Sequence, residues 1–145
     1  MSFANYAEKV LLDHIFGGPD YTRQAVLEMG LSTTAIDEDE PDLNITEPAD
    51  GYSRQSFDNI EDNWTQAELQ DPDHDEEITH QIAHKVLETD IVFPEATSDW
   101  GVITHFFLAD TNNNIIAHGA FPSAHNIEAG DTLEIDASSL TITLD

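Results

Sequence analysis

The chain has no cysteine and almost no positive charge. Its 145 residues carry 4 Lys+Arg against 30 Asp+Glu, a formal net charge of −26. Without thiols there are no disulfide staples, thiolate zinc sites, iron–sulfur clusters or cysteine nucleophiles. With only Lys9, Arg23, Arg54 and Lys85 as cations, the chain cannot grip nucleic acid or an anionic membrane, because phosphate binding needs several clustered Lys/Arg. No run approaches the roughly 18 apolar residues of a membrane-crossing helix, so no membrane insertion is expected. The opening Met1 to Lys9 has no basic stretch ahead of an apolar one, so no signal peptide is expected either. No Gly/Ser linker, heptad array or repeat of roughly 20 to 50 residues divides the chain. One domain over 1–145 is the expectation.

The acid excess fits three readings: disorder, mimicry of DNA, or adaptation to concentrated salt. Hydrophobic residues still make up 39% of the chain and fall in discrete runs, which favours a folded core over disorder. Mimicry requires carboxylates spaced like phosphates on a rigid face, and no sequence pattern shows that. Two carboxylates about 10 Å apart repel by about 0.4 kcal/mol in unscreened water and by a negligible amount near molar salt. Summed over dozens of pairs, this repulsion at low salt rivals the whole stability margin of a domain. The composition therefore points to a chain built for brine, and to a halophilic source.

Ser2 is placed to cap an N-terminal amphipathic helix over 1–18. Its apolar positions Phe3, Ala7, Val10, Leu11 and Ile15 repeat at three and four, and Gly17-Gly18-Pro19 ends it. Beyond it, 24–145 reads as β-rich. Ala25 to Thr33 reads as a strand and Tyr52 to Phe57 as an edge strand. Period-two patterning then runs through Ile78–Leu87, Ile91–Phe93, Val102–Ala109, Ile115–Phe121, Leu133–Ile135 and Leu140–Leu144. Asp110-Thr111-Asn112-Asn113-Asn114 and Ala129-Gly130-Asp131 are hairpin turns by composition. Acidic loops are expected at 37–50 and 66–77, where like charges and prolines oppose regular structure. Short strands at this spacing predict a mainly β fold, an antiparallel sandwich of jelly-roll or immunoglobulin-like type carrying one N-terminal helix.

Constellations that would carry chemistry are incomplete. Asp71, Asp73 and Asp75 open like a calcium loop, but Glu76 stands where the turn needs glycine and Ile82 where a bidentate glutamate is required. His80 and His84 have the spacing of a helical zinc pair, yet no glutamate follows His80. On a strand the two would lie about 13 Å apart, too far to share an ion. No Gly-x-Ser-x-Gly elbow is present, and Ser32, Ser53, Ser98 and Ser139 read as turn, cap or strand residues. Close carboxylate pairs are guaranteed among 30 acids, so they say nothing about glycoside hydrolysis. Gly17-Gly18 leads to proline and no lysine, so no phosphate loop exists. No catalytic, metal or cofactor residues are assigned. Trp100, Phe106, Phe107 and Phe121 read as core, with Trp64 and Tyr52 open.

Several strings taken together carry a resemblance. They are Asn5-Tyr6, Leu11 to Gly17, Gly30-Leu31-Ser32-Thr33, Glu47-Pro48 and Gly51-Tyr52-Ser53-Arg54. Then come Phe93-Pro94-Glu95-Ala96-Thr97-Ser98-Asp99-Trp100-Gly101-Val102-Ile103-Thr104-His105-Phe106, Ala117 to Ala120, Gly130-Asp131-Thr132 and the closing Leu140 to Leu144. Nearly end to end, the chain resembles the short tail-fibre-like structural proteins of tailed DNA viruses. The resemblance implies a non-enzymatic virion component with a compact β domain, present in many copies. It also implies partners among other virion proteins and a contribution to host attachment. The acidic runs 37 to 42 and 71 to 77 stand where such proteins tend to have short Gly/Ser-rich segments, a departure that fits a haloarchaeal virus. A building block of this kind must dock or self-associate. A cyclic homo-oligomer is expected, with contacts through the helix, at Leu11 and Ile15, and through Trp100. The alternatives are a lectin-like module for a host glycan or surface-layer protein, using loops that carry Trp64 or Tyr52, and a metal-dependent enzyme built on His80, His84 or the 71–77 run.

Overall fold

Alternation along Val26–Ser32 organises the molecule. In the computed structural model, which describes residues 1–39, 41–70 and 82–144, Leu27, Met29 and Leu31 enter the main core from this strand. Glu28 and Gly30, on the other parity, face the opposite side of the sheet. We number the elements β1 (Ser2–Phe3), α1 (Asn5–Ile15), β2 (Val26–Ser32), β3 (Gln55–Asp58), β4 (Glu68–Gln70), β5 (Ile82–Val86), β6 (Ile91–Val92), β7 (Gly101–Asp110), β8 (Ile115–Ile127), β9 (Glu134–Ile135) and β10 (Thr141–Leu144). Short 3-10 turns lie at Pro41–Asn44 and Glu61–Asn63. The strands form three antiparallel sheets, β1-β8-β7-β2-β3, β10-β5-β4 and β6-β9, so the fold is mainly β with one helix. The acidic run 71–77 and His80 lie outside the described residues.

All three sheets feed one core. Met29, Leu31, Leu87, Phe93, Ile103 and Leu108 are fully buried, joined by Leu133, Ile135 and Leu140 from the smaller sheets and their approaches. Of the aromatics expected inside, Trp100, Phe106 and Phe107 are buried, and Phe121 packs edge-on against Phe106 with ring centroids 4.8 Å apart. Register breaks between Ile103 and His105, where the partner on β8 jumps from His125 to Ala120. Pro122 falls inside that jump, where a residue without an N–H costs the ladder nothing.

Two expectations fail locally. Ser2 does not cap the helix: Ser2 and Phe3 pair with His118 and Ala117 and close the edge of the five-stranded sheet. Met1 extends that link, its carbonyl accepting the N–H of Thr143 at 3.1 Å. The helix therefore starts after Ala4, which gives no side-chain cap, and runs about three turns. Its first N–H, that of Asn5, donates instead to the Glu38 carboxylate at 3.1 Å, a distant acid placed where a helix N-terminus favours negative charge. At the other end Gly17 takes a φ of +85°, and Gly18 N–H reaches the Asp13 carbonyl at 2.7 Å, the closing bond of a Schellman turn.

The described residues of 37–50 form a loop with one 3-10 turn. It folds back through Asp37 N–H to the Leu43 carbonyl at 3.0 Å and Thr34 Oγ1 to the Asn44 carbonyl at 2.6 Å. Finally, β4 lies within the stretch 66–77 expected as loop, and pairs Glu68, Leu69 and Gln70 with His84, Ala83 and Ile82.

Behind β2, the second face of the sheet holds its own small core of Phe107, Ala109, Ala4 and Ala7. Gly30 makes room for it: a Cβ there would lie 2.1 Å from Phe107 Cζ, inside the ring edge. Gly30→Ala is therefore expected to destabilise the fold by about 2 kcal/mol through overpacking. Urea unfolding checks this, and an unchanged midpoint would show that the ring can move aside.

Candidate functional site

Two of the strings singled out in the sequence meet in space. Arg54, at the entry to β3, forks onto Glu47, with Nε donating to Oε1 at 2.9 Å and Nη2 to Oε2 at 2.8 Å. Its Nη1 donates to Asn113 Oδ1 at 2.6 Å and lies 3.7 Å from Glu28. The guanidinium sits over the Phe107 ring, 4.8 Å from its centroid. Hydrogen bonding to Glu47, more than any other cause, raises the Arg54 pKa above its ordinary value. Asn113 is aimed by the hairpin turn. The buried Asp110 carboxylate accepts the N–H groups of Asn112 and Asn114, each at 2.9 Å, and Asn113 takes a φ of +65° between them.

Tyr52 locks the next layer. Its ring stacks on Phe93 and meets Trp100 edge-on at 5.5 Å, and its hydroxyl oxygen accepts Leu31 N–H at 2.8 Å. That N–H lies beyond the last β2–β3 pair, Met29 with Gln55, so the hydroxyl substitutes for a missing strand partner. Burial pushes the phenol well above its ordinary range and keeps it protonated. Gly51, at φ +82°, passes so close to Thr97 that a Cβ would lie 2.1 Å from its Oγ1. Ser98 Oγ and Trp100 Nε1 both donate to the Asp50 carbonyl, at 3.1 and 3.4 Å. The residues Gly51 to Arg54 and Phe93 to Gly101 thus pin loops to sheets.

A second feature is open to solvent. A cleft of about 730 Å3 lies between the five- and three-stranded sheets, walled by Leu27, Trp64, Ile116 and Ile142 and bordered by Arg23 and Lys85. Trp64 is fixed there by its Nε1, which donates to Asn59 Oδ1 at 3.1 Å. His84 lines the same cleft, and its buried Nδ1 has no hydrogen-bond partner among the described residues.

The sequence-predicted positions separate. Ile15 is 58% exposed, Leu11 is half-buried, and Trp100 at 4% is committed to the core, so its side chain could reach another subunit only if the core opened. His80, Asp71, Asp73 and Asp75 lie outside the described residues. The β6–β9 register, Ile91 opposite Ile135, brings together Asp90, Glu134 and Asp136, whose carboxylates lie within 4.8 Å of one another on the surface. Sequence spacing gave no sign of that trio. One of its oxygens, Asp90 Oδ1, already accepts Ala137 N–H at 2.7 Å. On the far face, burial first and His118 second hold the His105 imidazole below its ordinary pKa. His118 Nε2 lies 3.2 Å from the carboxylate of Glu38.

This geometry defines an acid-coated antiparallel β domain whose signature residues serve its architecture. The chain belongs to the family of the podophage GP4 fiber I protein gp80, whose family model matches residues 2–143. Membership makes it a fibre-type structural component of a tailed-virus particle, in keeping with a non-enzymatic role. A search among curated proteins finds no match. Among the described residues no helix is long and apolar enough to cross a membrane.

Replacing Arg54 with Met leaves Glu47 and Glu28 unpaired and removes the cation from Phe107. Arg54→Met is expected to cost about 2 kcal/mol, the loss of a mostly buried fork with residual solvent screening. Chemical denaturation of the variant gives the number, and a loss under a few tenths would show that Arg54 is replaceable.

Proposed function

We propose that the chain is a single-domain, sandwich-like, non-enzymatic building block exposed on the tail or head surface of its particle, where it associates with itself and with other virion proteins. The observation that carries this reading is the family match across nearly the whole length. Helix α1 supports self-association, since it leaves Leu12, Ile15 and Phe16 in solvent while only Ala7 is buried. The net charge of −26 supports a particle that works in concentrated salt, and so a haloarchaeal host. A contribution to host attachment stays part of the proposal, through exposed loops rather than through Tyr52, which the core occupies.

Antibody labelling of purified particles tests the main claim. Regular decoration of the tail or head is expected, and label absent from intact particles but present in infected-cell lysate would overturn it. Light scattering tests assembly and salt together. A closed oligomer is expected in about 2 M salt, falling apart or unfolding in dilute buffer as screening is lost. Leu11→Asp is expected to lower the mass in salt while leaving the β-sheet circular dichroism intact. A wild-type monomer folded equally well in both buffers would remove the salt and oligomer claims.

A further inference from the structure

Exposed apolar surface is concentrated in two places. Of the eight large hydrophobic side chains exposed among the described residues, Leu12, Ile15 and Phe16 form one patch at the end of α1, at 58%, 58% and 78%. Two more, Ile60 and Leu144, sit on the lining of the cleft between the sheets. Positions 12, 15 and 16 have the i, i+3, i+4 spacing with which a helix enters a groove. The charges match as well. Arg23 and Lys85 line the cleft, whereas Lys9 and Arg54, the other two cations, are held by Asp13 and Glu47 within the fold. The helix patch carries Glu8 one turn before Leu12, and Asp20 follows with its side chain 93% exposed. Two copies of so acidic a chain repel each other, so a stable contact must set the few cations of one against acids of the next.

The helix cannot reach the cleft of its own chain. On β8, Ile116 lines the cleft, whereas His118, paired with Phe107 on the face behind β2, joins Glu38 beside the start of the helix. The five-stranded sheet therefore stands between them. We propose that the cleft receives the Leu12–Ile15–Phe16 face of α1 from a second copy of this chain, with Arg23 and Lys85 facing the acids that flank that face. The contact joins two different surfaces, so it propagates from copy to copy and closes into a ring or extends as a filament according to its rotation. This deepens the self-association proposed above and names its two halves.

Complementation tests it. Phe16→Asp keeps the cleft and spoils the helix face; Ile60→Asp keeps the helix face and spoils the cleft, at a position exposed enough to spare the fold. Each variant alone is expected to sediment as a monomer under conditions where the wild type assembles, with dissociation constants raised about 30-fold or more. Their equimolar mixture is expected to give a one-to-one dimer, because one intact helix face meets one intact cleft. Lys85→Glu is expected to weaken assembly and Glu8→Lys to restore it. Circular dichroism confirms that each variant folds. Wild-type-like assembly of Ile60→Asp, or a mixture that stays monomeric, would overturn the cleft contact. If Leu11→Asp still broke up the oligomer in that case, self-association would stand through another surface. A monomeric wild type would remove both.

Discussion

The guanidinium of Arg54 is the contact on which the back of this molecule depends. It joins Glu47 from the long loop after β2, Asn113 from the β7–β8 turn, Glu28 from β2 and the ring face of the buried Phe107. In a chain with four cations, placing one of them half-hidden among carboxylates looks costly. The fork geometry makes it favourable, because two parallel charge-assisted bonds replace the water that burial removes. Other contacts are set by it. With Glu47 anchored, the loop can return to start β3, and its earlier part can bring Glu38 to the first N–H of α1. The helix lies on the sheet through Ala4 and Ala7, and an acid from elsewhere caps it.

Charge also decides where order is possible. Like charges along 37–50 oppose a compact loop, yet that stretch closes because its carbonyls and hydroxyls bond one another and because Leu43 and Asn44 take positive φ. Asp37 and Asp39 of that stretch are exposed, where salt screens them. Buried Asp110 is the exception, and it is matched by three donors from its own turn. Among the described residues the fold therefore tolerates its charge by keeping acids either in contact with solvent or hydrogen-bonded, and it spends Arg54 on the half-buried Glu47 and Glu28.

Much of the architecture was legible in the sequence where the pattern is local. Alternation located β2, β7 and β8, and composition located the Asp110–Asn114 turn, because those signals repeat within a few residues. What depended on distant partners was not legible. Ser2 looked like a cap because it precedes a helical pattern; its pairing with His118 requires the sheet edge to be known. β4 is three residues long inside an acidic stretch, too short for any period to show. Trp100 illustrates a different limit, since a core aromatic and an interface aromatic have the same sequence signature. The Arg54 fork, the Asp90–Glu134–Asp136 trio and the cleft all follow from sheet register.

The division of labour between buried and exposed residues bears on how a fibre-family domain works. The strings that carry the resemblance, Gly51 to Arg54 and Phe93 to Gly101, hold loops to sheets, with Tyr52, Phe93 and Trp100 taken up by the core. Residues with free apolar surface lie elsewhere, at the end of α1 and along the cleft, where nothing in the core constrains them. A repeated unit needs both: an interior that sets its shape, and a periphery that decides what it meets. The helix and the cleft lie on opposite faces of one sheet, so the two surfaces are held apart by a hydrogen-bonded ladder instead of by a flexible loop. That rigidity suits a structural component of the fibre family.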